Sequence, residues 1–435
     1  MNRETINLLS SSRTQLKGCI EVPGDKSISH RAIIISSIAD GTTKIQNYLN
    51  SEDVNATIAA CRSMGVRIEK HNGSLIIQGN NLARISGEPV DFNFGNSGTS
   101  MRLMMGILSA QKISSVLLGD ESLNKRPMDR ISKPLIKMNA DIKTSNNYPP
   151  VSINPVKKII NVDHYEEIAS AQIKSSILLA GLYGDDELSI TTPPSRDHTE
   201  IMLREFKCNI SNDIHAIKMK PSRLESPGIV QVPGDLSSAA FFIVGAILSE
   251  DSEVTIKNIG LNPLRTGFIE ILRMMGANIS IFDLKTMNGE SIGSLTAKSS
   301  DLNGIKVPSN LIASSIDELP LIVLAASQAN GKTSIRNAKE LRVKESDRIS
   351  SMIKMMQSFT ISVDEFDDGM DIFGGTIKGA TINSFGDHRI SMTAIIASLV
   401  SNGDIVVEDC QNIGTSFPTF IAISNNIGMD IQKHD

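Results

Sequence analysis

Cationic side chains recur beside small, turn-forming residues in this sequence, and carboxylates stand next to several of them. In Val22-Pro23-Gly24-Asp25-Lys26-Ser27-Ile28-Ser29-His30-Arg31, Lys26 and Arg31 share a Gly turn and a helix start with hydroxyls. Backbone N–H groups at a helix start attract anions, so this stretch reads as an anion site. Gly95-Asn96-Ser97-Gly98-Thr99-Ser100-Met101-Arg102 is a second small-residue turn opening an apolar helix. It is either an anion cradle that Gly98 allows a ligand to approach, or a plain Ser/Thr cap with a conformational Gly. No Gly-Lys-Ser/Thr closes it and it carries no dinucleotide fingerprint, which disfavours ATP and NAD. In Lys125-Arg126-Pro127-Met128-Asp129-Arg130 the charges are either a solvated face or a device in which Pro127 presets the next helix and aims Arg126 at a phosphate or carboxylate. Arg130, one turn on, reads as surface.

Ser170-Ala171-Gln172 and Ser195-Arg196-Asp197-His198 each head a helix with hydroxyl, amide or basic groups, or else simply cap it. Arg342-Val343-Lys344-Glu345-Ser346-Asp347-Arg348, if helical, makes Lys344 and Arg348 i,i+4 neighbours and puts Glu345 i,i+3 from Arg348. A carboxylate held there stays ionised unless desolvation opposes it; the alternative is a salt-bridged surface helix. Asp387-His388-Arg389 places another Arg at a helix start, and no second His or Cys stands at ligand spacing from His388, so a metal is not expected. Ile316-Asp317-Glu318-Leu319-Pro320 puts two carboxylates in an apolar stretch, with Asp317 either a general base or an N-cap. Lys26, Arg31, Arg102, Arg126, Lys344, Arg348 and Arg389 together suit small polyanionic substrates, since each charge-assisted hydrogen bond contributes about 1.5–3 kcal/mol. A net charge of −5 excludes a broad nucleic-acid surface, so any anion site is local.

These groups need a scaffold to bring them together, and the sequence repeats itself. Val232-Pro233-Gly234-Asp235-Leu236-Ser237 echoes the first turn half a chain later, but Leu236 and Ala239-Ala240-Phe241-Phe242 replace the cations, so the second copy reads mainly as scaffold. A chain of 435 residues suits two domains, with a boundary near that second turn. Six similar tags, each a helix end, a Gly- or Asn-containing turn and an alternating strand, fall near residues 65, 139, 208, 276, 359 and 428. They predict six units, three per half, in the order strand, helix, strand, helix, strand, strand, and hence an α/β fold with mixed sheets. Stretches 101–110, 173–182, 239–248 and 321–327 are apolar nearly all round, the pattern of interior helices. Polar residues from both halves are expected to converge in the cleft between them.

An apolar fraction of 40%, a charged fraction of 21% and the absence of Trp describe a globular protein with an aliphatic, Met-rich interior. Cys19, Cys61, Cys208 and Cys410 fall singly, as reduced packing thiols do. Residues 1–17 lack a signal pattern and the longest apolar run, 239–248, is too short to span a membrane, so a cytoplasmic protein is expected.

Residues 23–31, 95–99, 125–128, 170–172, 342–348 and 387–389 stand in an order and spacing that resembles the enolpyruvyl transferase family, and within it the branch that uses shikimate 3-phosphate. Ser-Ala-Gln, Leu-Arg-Val-Lys-Glu-Ser and Lys-Arg-Pro-Met are similar to that branch's second sequence class. The resemblance implies two inside-out α/β domains of three βαβαββ repeats each, residues 21–231 and residues 1–20 plus 232–435, with the N-terminal strand returning to the second and the active site in the inter-domain cleft. It implies that Lys26, Ser27, Arg31, Ser170, Gln172, Ser195, Asp317 and Lys344 hold shikimate 3-phosphate. It implies that Lys26, Gly98, Arg126, Gln172, Arg348 and Arg389 hold phosphoenolpyruvate; Arg102 and Arg196 stand at the margin of the whole site. Glu345 would protonate the methylene carbon, and Asp317, with Lys26, would take the proton of the attacking hydroxyl. No metal or organic cofactor is implied; the partners are the two small molecules, with no nucleic acid, no membrane and a monomeric chain. Thr415 stands where some members carry Lys, and Glu340 where others carry Asn, so Glu340 is left out of the site. The sister enzyme acting on UDP-N-acetylglucosamine carries a Cys in the loop before the Arg-Pro, which residues 120–125 lack, and Lys-Asn where this chain has Lys26-Ser27. A non-catalytic phosphometabolite sensor would keep the basic cluster but lose the carboxylates that Asp317 and Glu345 retain.

Overall fold

At each of the six tags a helix ends, one residue takes the left-handed conformation, and a strand or extended segment follows. That residue is Gly65, Asn139, Lys207, Gly276, Thr360 or Gly428, with φ of 81°, 70°, 66°, 106°, 64° and 120°. Glycine and asparagine enter this region cheaply, whereas Lys207 and Thr360 do so at a steric cost that the surrounding packing must offset. The turn reverses the chain so that an apolar residue of the segment that follows, such as Ile68, Ile142, Ile210, Ile279 or Ile431, points inward. The computed structural model describes residues 5–212 and 216–434; residues 1–4, 213–215 and 435 of the expected domain ranges lie outside them.

The chain forms two compact units, one of Gly24–Val232 with Thr286–Glu290, the other of the segment ending at Pro23, Pro233–Lys285 and the chain from Ser291 on. In the first unit, strands Val90–Asn93, Ser115–Leu118, Tyr148–Asn154 and Asp141–Ser145 lie side by side in that order. The first pair is parallel, crossed over by helix Gly98–Leu108, and the rest are antiparallel. Asp163–Tyr165, Leu188–Thr191, Ala216–Lys220 and Asn209–Asn212 repeat the pattern around helix Ala171–Gly181. The third sheet takes its first strand from the end of the unit: Ile229–Gln231 pairs in parallel with Thr42–Gln46, Val230 opposite Ile45.

The other unit borrows strands from the N-terminus in the same way. Lys17–Glu21 joins Glu253–Gly260 in parallel, Gly18 opposite Val254, and Asn7–Ser10 lies antiparallel between Ile405–Glu408 and Ile431–His434. Its remaining sheet has three strands, because the first strand of that repeat is reduced to the bridges Asn303–Asn330 and Lys306–Ser334. Pro308, with no N–H to donate, closes that segment.

Helices are packed behind the sheets in both units. Leu236–Leu248 is buried along almost its whole length, and Phe241, Phe242, Phe417 and Phe420 meet with ring centroids 5.6–6.0 Å apart. Helix Gly98–Leu108 crosses Ala171–Gly181 so closely that a Cβ on Gly106 would lie 2.2 Å from Ser176 O. Among the described residues no single helix is long and apolar enough to cross a membrane. The four cysteines carry free thiols, three of them buried and Cys19 exposed.

Candidate active site

In the unit of Gly24–Val232, helix Lys26–Ile38 begins where the Pro23-Gly24 turn presses on residue 47; a Cβ on Gly24 would sit 1.7 Å from Asn47 O. Asp25 caps the helix, its Oδ1 accepting from Ile28 N at 2.8 Å. Lys26 at the first position is 3.1 Å from Asp53 Oδ2. Arg31, one turn on, is buried and donates to Thr199 Oγ1 at 2.7 Å, Ser175 Oγ at 3.0 Å and Ser27 O at 3.0 Å. Burial lowers Arg31 to about 10, the nearby Glu200 and Asp25 opposing, so it remains a cation at neutral pH.

Two further helix starts in this unit share one network. Ser97 caps Gly98–Leu108 and Ser170 caps Ala171–Gly181. Gln172 accepts from Arg102 Nη1 at 2.7 Å and donates to Thr99 Oγ1 at 3.1 Å. Arg126 is held by Asn96 Oδ1 at 2.6 Å and Ser122 Oγ at 3.1 Å. A Cβ on Gly98 would lie 3.3 Å from Arg126 Nη1 and 3.7 Å from Arg102 Nη1, so the glycine lets two guanidinium groups close on a helix N-terminus. Ser195 Oγ is buried and finds no hydrogen-bond partner among the described residues, which leaves it able to bond a ligand. Lys26, Ser27, Arg31, Gly98, Arg126, Ser170, Gln172 and Ser195 thus all lie in this unit.

Asp317, Lys344, Glu345, Arg348 and Arg389 lie in the other. Arg348 donates through Nη2 to Glu345 Oε2 at 2.6 Å and through Nε to Asp387 Oδ2 at 2.8 Å, and its Nη1 is 3.6 Å from Asp317 Oδ1. Arg389 donates to Asp317 O at 3.0 Å. Burial works against the charge on Arg348, but Asp387 and Glu345 outweigh it and hold the guanidinium above its ordinary value. Lys344 is 3.8 Å from Glu340 Oε1; desolvation pulls it below the ordinary lysine value, with Asp317 and Glu340 opposing.

Several local expectations are corrected. Residues 344–347 are not helical: a 3-10 turn covers Lys339–Val343 and the helix is Arg348–Ser358, because Asp347 caps it through Ser350 N at 3.1 Å. Lys344 and Arg348 therefore do not share a helix face, and Glu345 reaches Arg348 from the loop. Asp317 is no N-cap; Glu318 occupies that position of helix Leu319–Ser327, without a side-chain cap bond. Pro127 precedes the capping Met128 of helix Asp129–Lys137 instead of starting it, and Arg130 is half-buried. Thr415 is buried and donates to Asn412 O at 2.7 Å, so no charge stands at that position.

The family described as EPSP synthase (3-phosphoshikimate 1-carboxyvinyltransferase) has a sequence profile that matches residues 11–423. The chain belongs to the EPSP synthase family. It is 44% identical over 431 residues to a 3-phosphoshikimate 1-carboxyvinyltransferase of Legionella pneumophila (strain Lens), covering 99% of this chain and 100% of that one. A relative of the same name from Geotalea uraniireducens (strain Rf4) is 45% identical over 417 residues, covering 95% and 97%. A solved structure of EPSP synthase from Acinetobacter baumannii matches with a TM-score of 0.86 at 41% identity, over 99% of this chain and 100% of that one.

Within this EPSP synthase fold, sequence reasoning missed the residues that hold the cations in place. Asp53 pairs with Lys26, Ser175 and Thr199 with Arg31, Asn96 and Ser122 with Arg126, and buried Asp387 with Arg348. Their common signal, a short polar residue near a helix start, is too frequent to single them out. Lys174 and Glu200 form another buried pair at 2.6 Å that was not foreseen. Among the described residues no group of three His, Cys, Asp or Glu is placed to hold a metal ion.

Proposed function

We propose that the residues above carry out the family's reaction: transfer of the carboxyvinyl group of phosphoenolpyruvate to the 5-hydroxyl of shikimate 3-phosphate, releasing phosphate, in the shikimate pathway to chorismate and the aromatic amino acids. Lys26, Ser27, Arg31, Ser170, Gln172, Ser195, Asp317 and Lys344 hold shikimate 3-phosphate. Lys26, Gly98, Arg126, Gln172, Arg348 and Arg389 hold phosphoenolpyruvate. The observation that carries the reading is the sharing of one buried guanidinium, Arg348, by two candidate proton carriers, Glu345 and Asp317, together with Asp387.

Glu345, on the loop beside Arg348 and 21% exposed, is the most accessible of the three carboxylates around that guanidinium and enters the reaction as the acid. It delivers its proton to the methylene carbon of phosphoenolpyruvate, and the cation that develops at the adjacent carbon is attacked by the 5-hydroxyl oxygen. Asp317, with Lys26, takes the hydroxyl proton. Return of a methyl proton to the Glu345 carboxylate and departure of phosphate from the tetrahedral intermediate restore the vinyl group and the starting acid. Arg126, Arg348 and Arg389 stabilise the phosphate and carboxylate charges throughout. The same reading has the protein acting in the cytoplasm as a monomer, which light scattering on the purified chain tests.

Purified protein should release phosphate only when shikimate 3-phosphate and phosphoenolpyruvate are both present. Release with UDP-N-acetylglucosamine in place of the shikimate would assign it to the sister reaction, and release with neither would end the proposal.

A further inference from the structure

The second Val-Pro-Gly-Asp turn keeps its serine but not its cations. Ser237 stands where the first copy has Ser27, while buried Leu236 and Phe241 replace Lys26 and Arg31. A cation returns from elsewhere: Arg265, in the loop after strand Glu253–Gly260, is buried and donates from Nη2 to Ser237 Oγ at 2.7 Å, and it is 3.4 Å from Asp235 Oδ1. The anion at this turn is the protein's own Glu318. Its carboxylate is 1% exposed, and its Oε1 accepts a hydrogen bond from Ser237 Oγ. A buried carboxylate needs such partners.

Glu318 Oε1 also forms an ion pair with Arg389 Nη1 at 3.8 Å, beyond hydrogen-bond distance but near enough to move into it. Arg389 instead donates to Asp317 O at 3.0 Å and has Asp317 Oδ2 at 3.9 Å. A direct hydrogen bond to Glu318 would take up a donor of the guanidinium that is to receive phosphoenolpyruvate, and would compete with the substrate as an internal anion.

We infer that the second turn is an anion site turned inward: Ser237, itself held by Arg265, restrains the Glu318 carboxylate, and so keeps the hydrogen-bond donors of Arg389 available to the substrate. Ser237, Arg265 and Glu318 are then positioning residues. The inference rests on the proposed role of Arg389 in binding phosphoenolpyruvate.

The test is steady-state phosphate release with full-length protein, varying each substrate in turn. Ser237→Ala removes the bond that holds the carboxylate back from Arg389, and about a tenfold rise in KM for phosphoenolpyruvate is expected, the scale of one charge-assisted hydrogen bond. KM for shikimate 3-phosphate should stay within about twofold, well below that scale. The double variant Ser237→Ala/Glu318→Gln removes the competing charge and should bring KM for phosphoenolpyruvate back to near the wild-type value. Equal rises in both KM values, an unchanged KM, or a double variant no better than the single would overturn the inference. Should Ser237→Ala not fold, Arg265→Lys weakens the same grip and is judged by the same outcomes with Glu318→Gln. Wild-type protein that releases no phosphate with both substrates would instead remove the functional reading beneath it.

Discussion

Arg348 Nε donates to Asp387 Oδ2 at 2.8 Å, with both side chains withdrawn from solvent. Asp387 also accepts from Arg389 N at 2.9 Å and from Ser346 Oγ at 3.2 Å, so one carboxylate anchors two candidate substrate arginines and the loop carrying Glu345. Breaking a buried pair from one side costs about 3–5 kcal/mol, because the remaining charge loses its partner. Asp387→Asn should lower stability by that amount in urea unfolding at neutral pH; a loss no larger than a surface substitution gives would contradict the anchoring role.

The same pair makes a pH prediction. Burial alone would raise the Asp387 carboxyl, but Arg348 holds it below its ordinary 3.8. A carboxylate whose value is depressed on folding contributes stability that is fully present above the unfolded value, about 3.9, and is lost as pH falls through the lower folded value. The stability of the wild type should therefore fall steeply as pH drops below about 4, and that of Asp387→Asn less steeply, once the group no longer titrates. Parallel urea midpoints for the two proteins over that range would assign the acid sensitivity elsewhere.

Glu345→Gln keeps the size of the side chain and a hydrogen-bonding oxygen toward Arg348, but has no carboxyl proton to give. Turnover should fall by about 10²–10⁴, the usual span for loss of a general acid. Calorimetric binding of shikimate 3-phosphate should be unchanged. Full turnover in this variant removes Glu345 from the mechanism.

Arg31 uses its fork on three partners, Thr199, Ser175 and Ser27 O, which a lysine cannot match. Arg31→Lys should raise KM for shikimate 3-phosphate about tenfold or more while thermal stability falls modestly, since the loss is of charge-assisted hydrogen bonds. If KM for phosphoenolpyruvate rises instead, Arg31 belongs to the other substrate.

At Gly98 the added methyl of an alanine would meet Arg126 Nη1 at 3.3 Å, a distance at which the guanidinium must shift by a few tenths of an ångström. Gly98→Ala should weaken phosphoenolpyruvate by about three- to tenfold in KM through this misplacement, and shikimate 3-phosphate less. Equal weakening of both would point to a general disturbance of the helix start.

The six helix-turn-strand tags were legible because each is local: a run of apolar residues at helical spacing, one residue in the left-handed region and an alternating strand lie within a few positions of each other. Helix caps such as Asp25, Ser97 and Ser170 were legible for the same reason. The cap at Asp347 was equally local, yet the charges around it suggested i,i+4 spacing and drew the helix start too early. The borrowed strands Asn7–Ser10, Lys17–Glu21 and Ile229–Gln231 pair with strands far away in the sequence, and backbone pairing of that kind leaves no mark in side-chain pattern.

By itself, then, the order of residues determined where many helices begin, where the chain reverses, and which positive groups stand at those places, since each follows from neighbours a few positions apart. Only the tertiary structure decided which carboxylate serves which guanidinium: Asp53 for Lys26, Asp387 for Arg348, and Glu318 held on Ser237 near Arg389. The reason is that charge interaction falls with distance through space and grows as water is excluded. Neither quantity exists until the helices and sheets have packed.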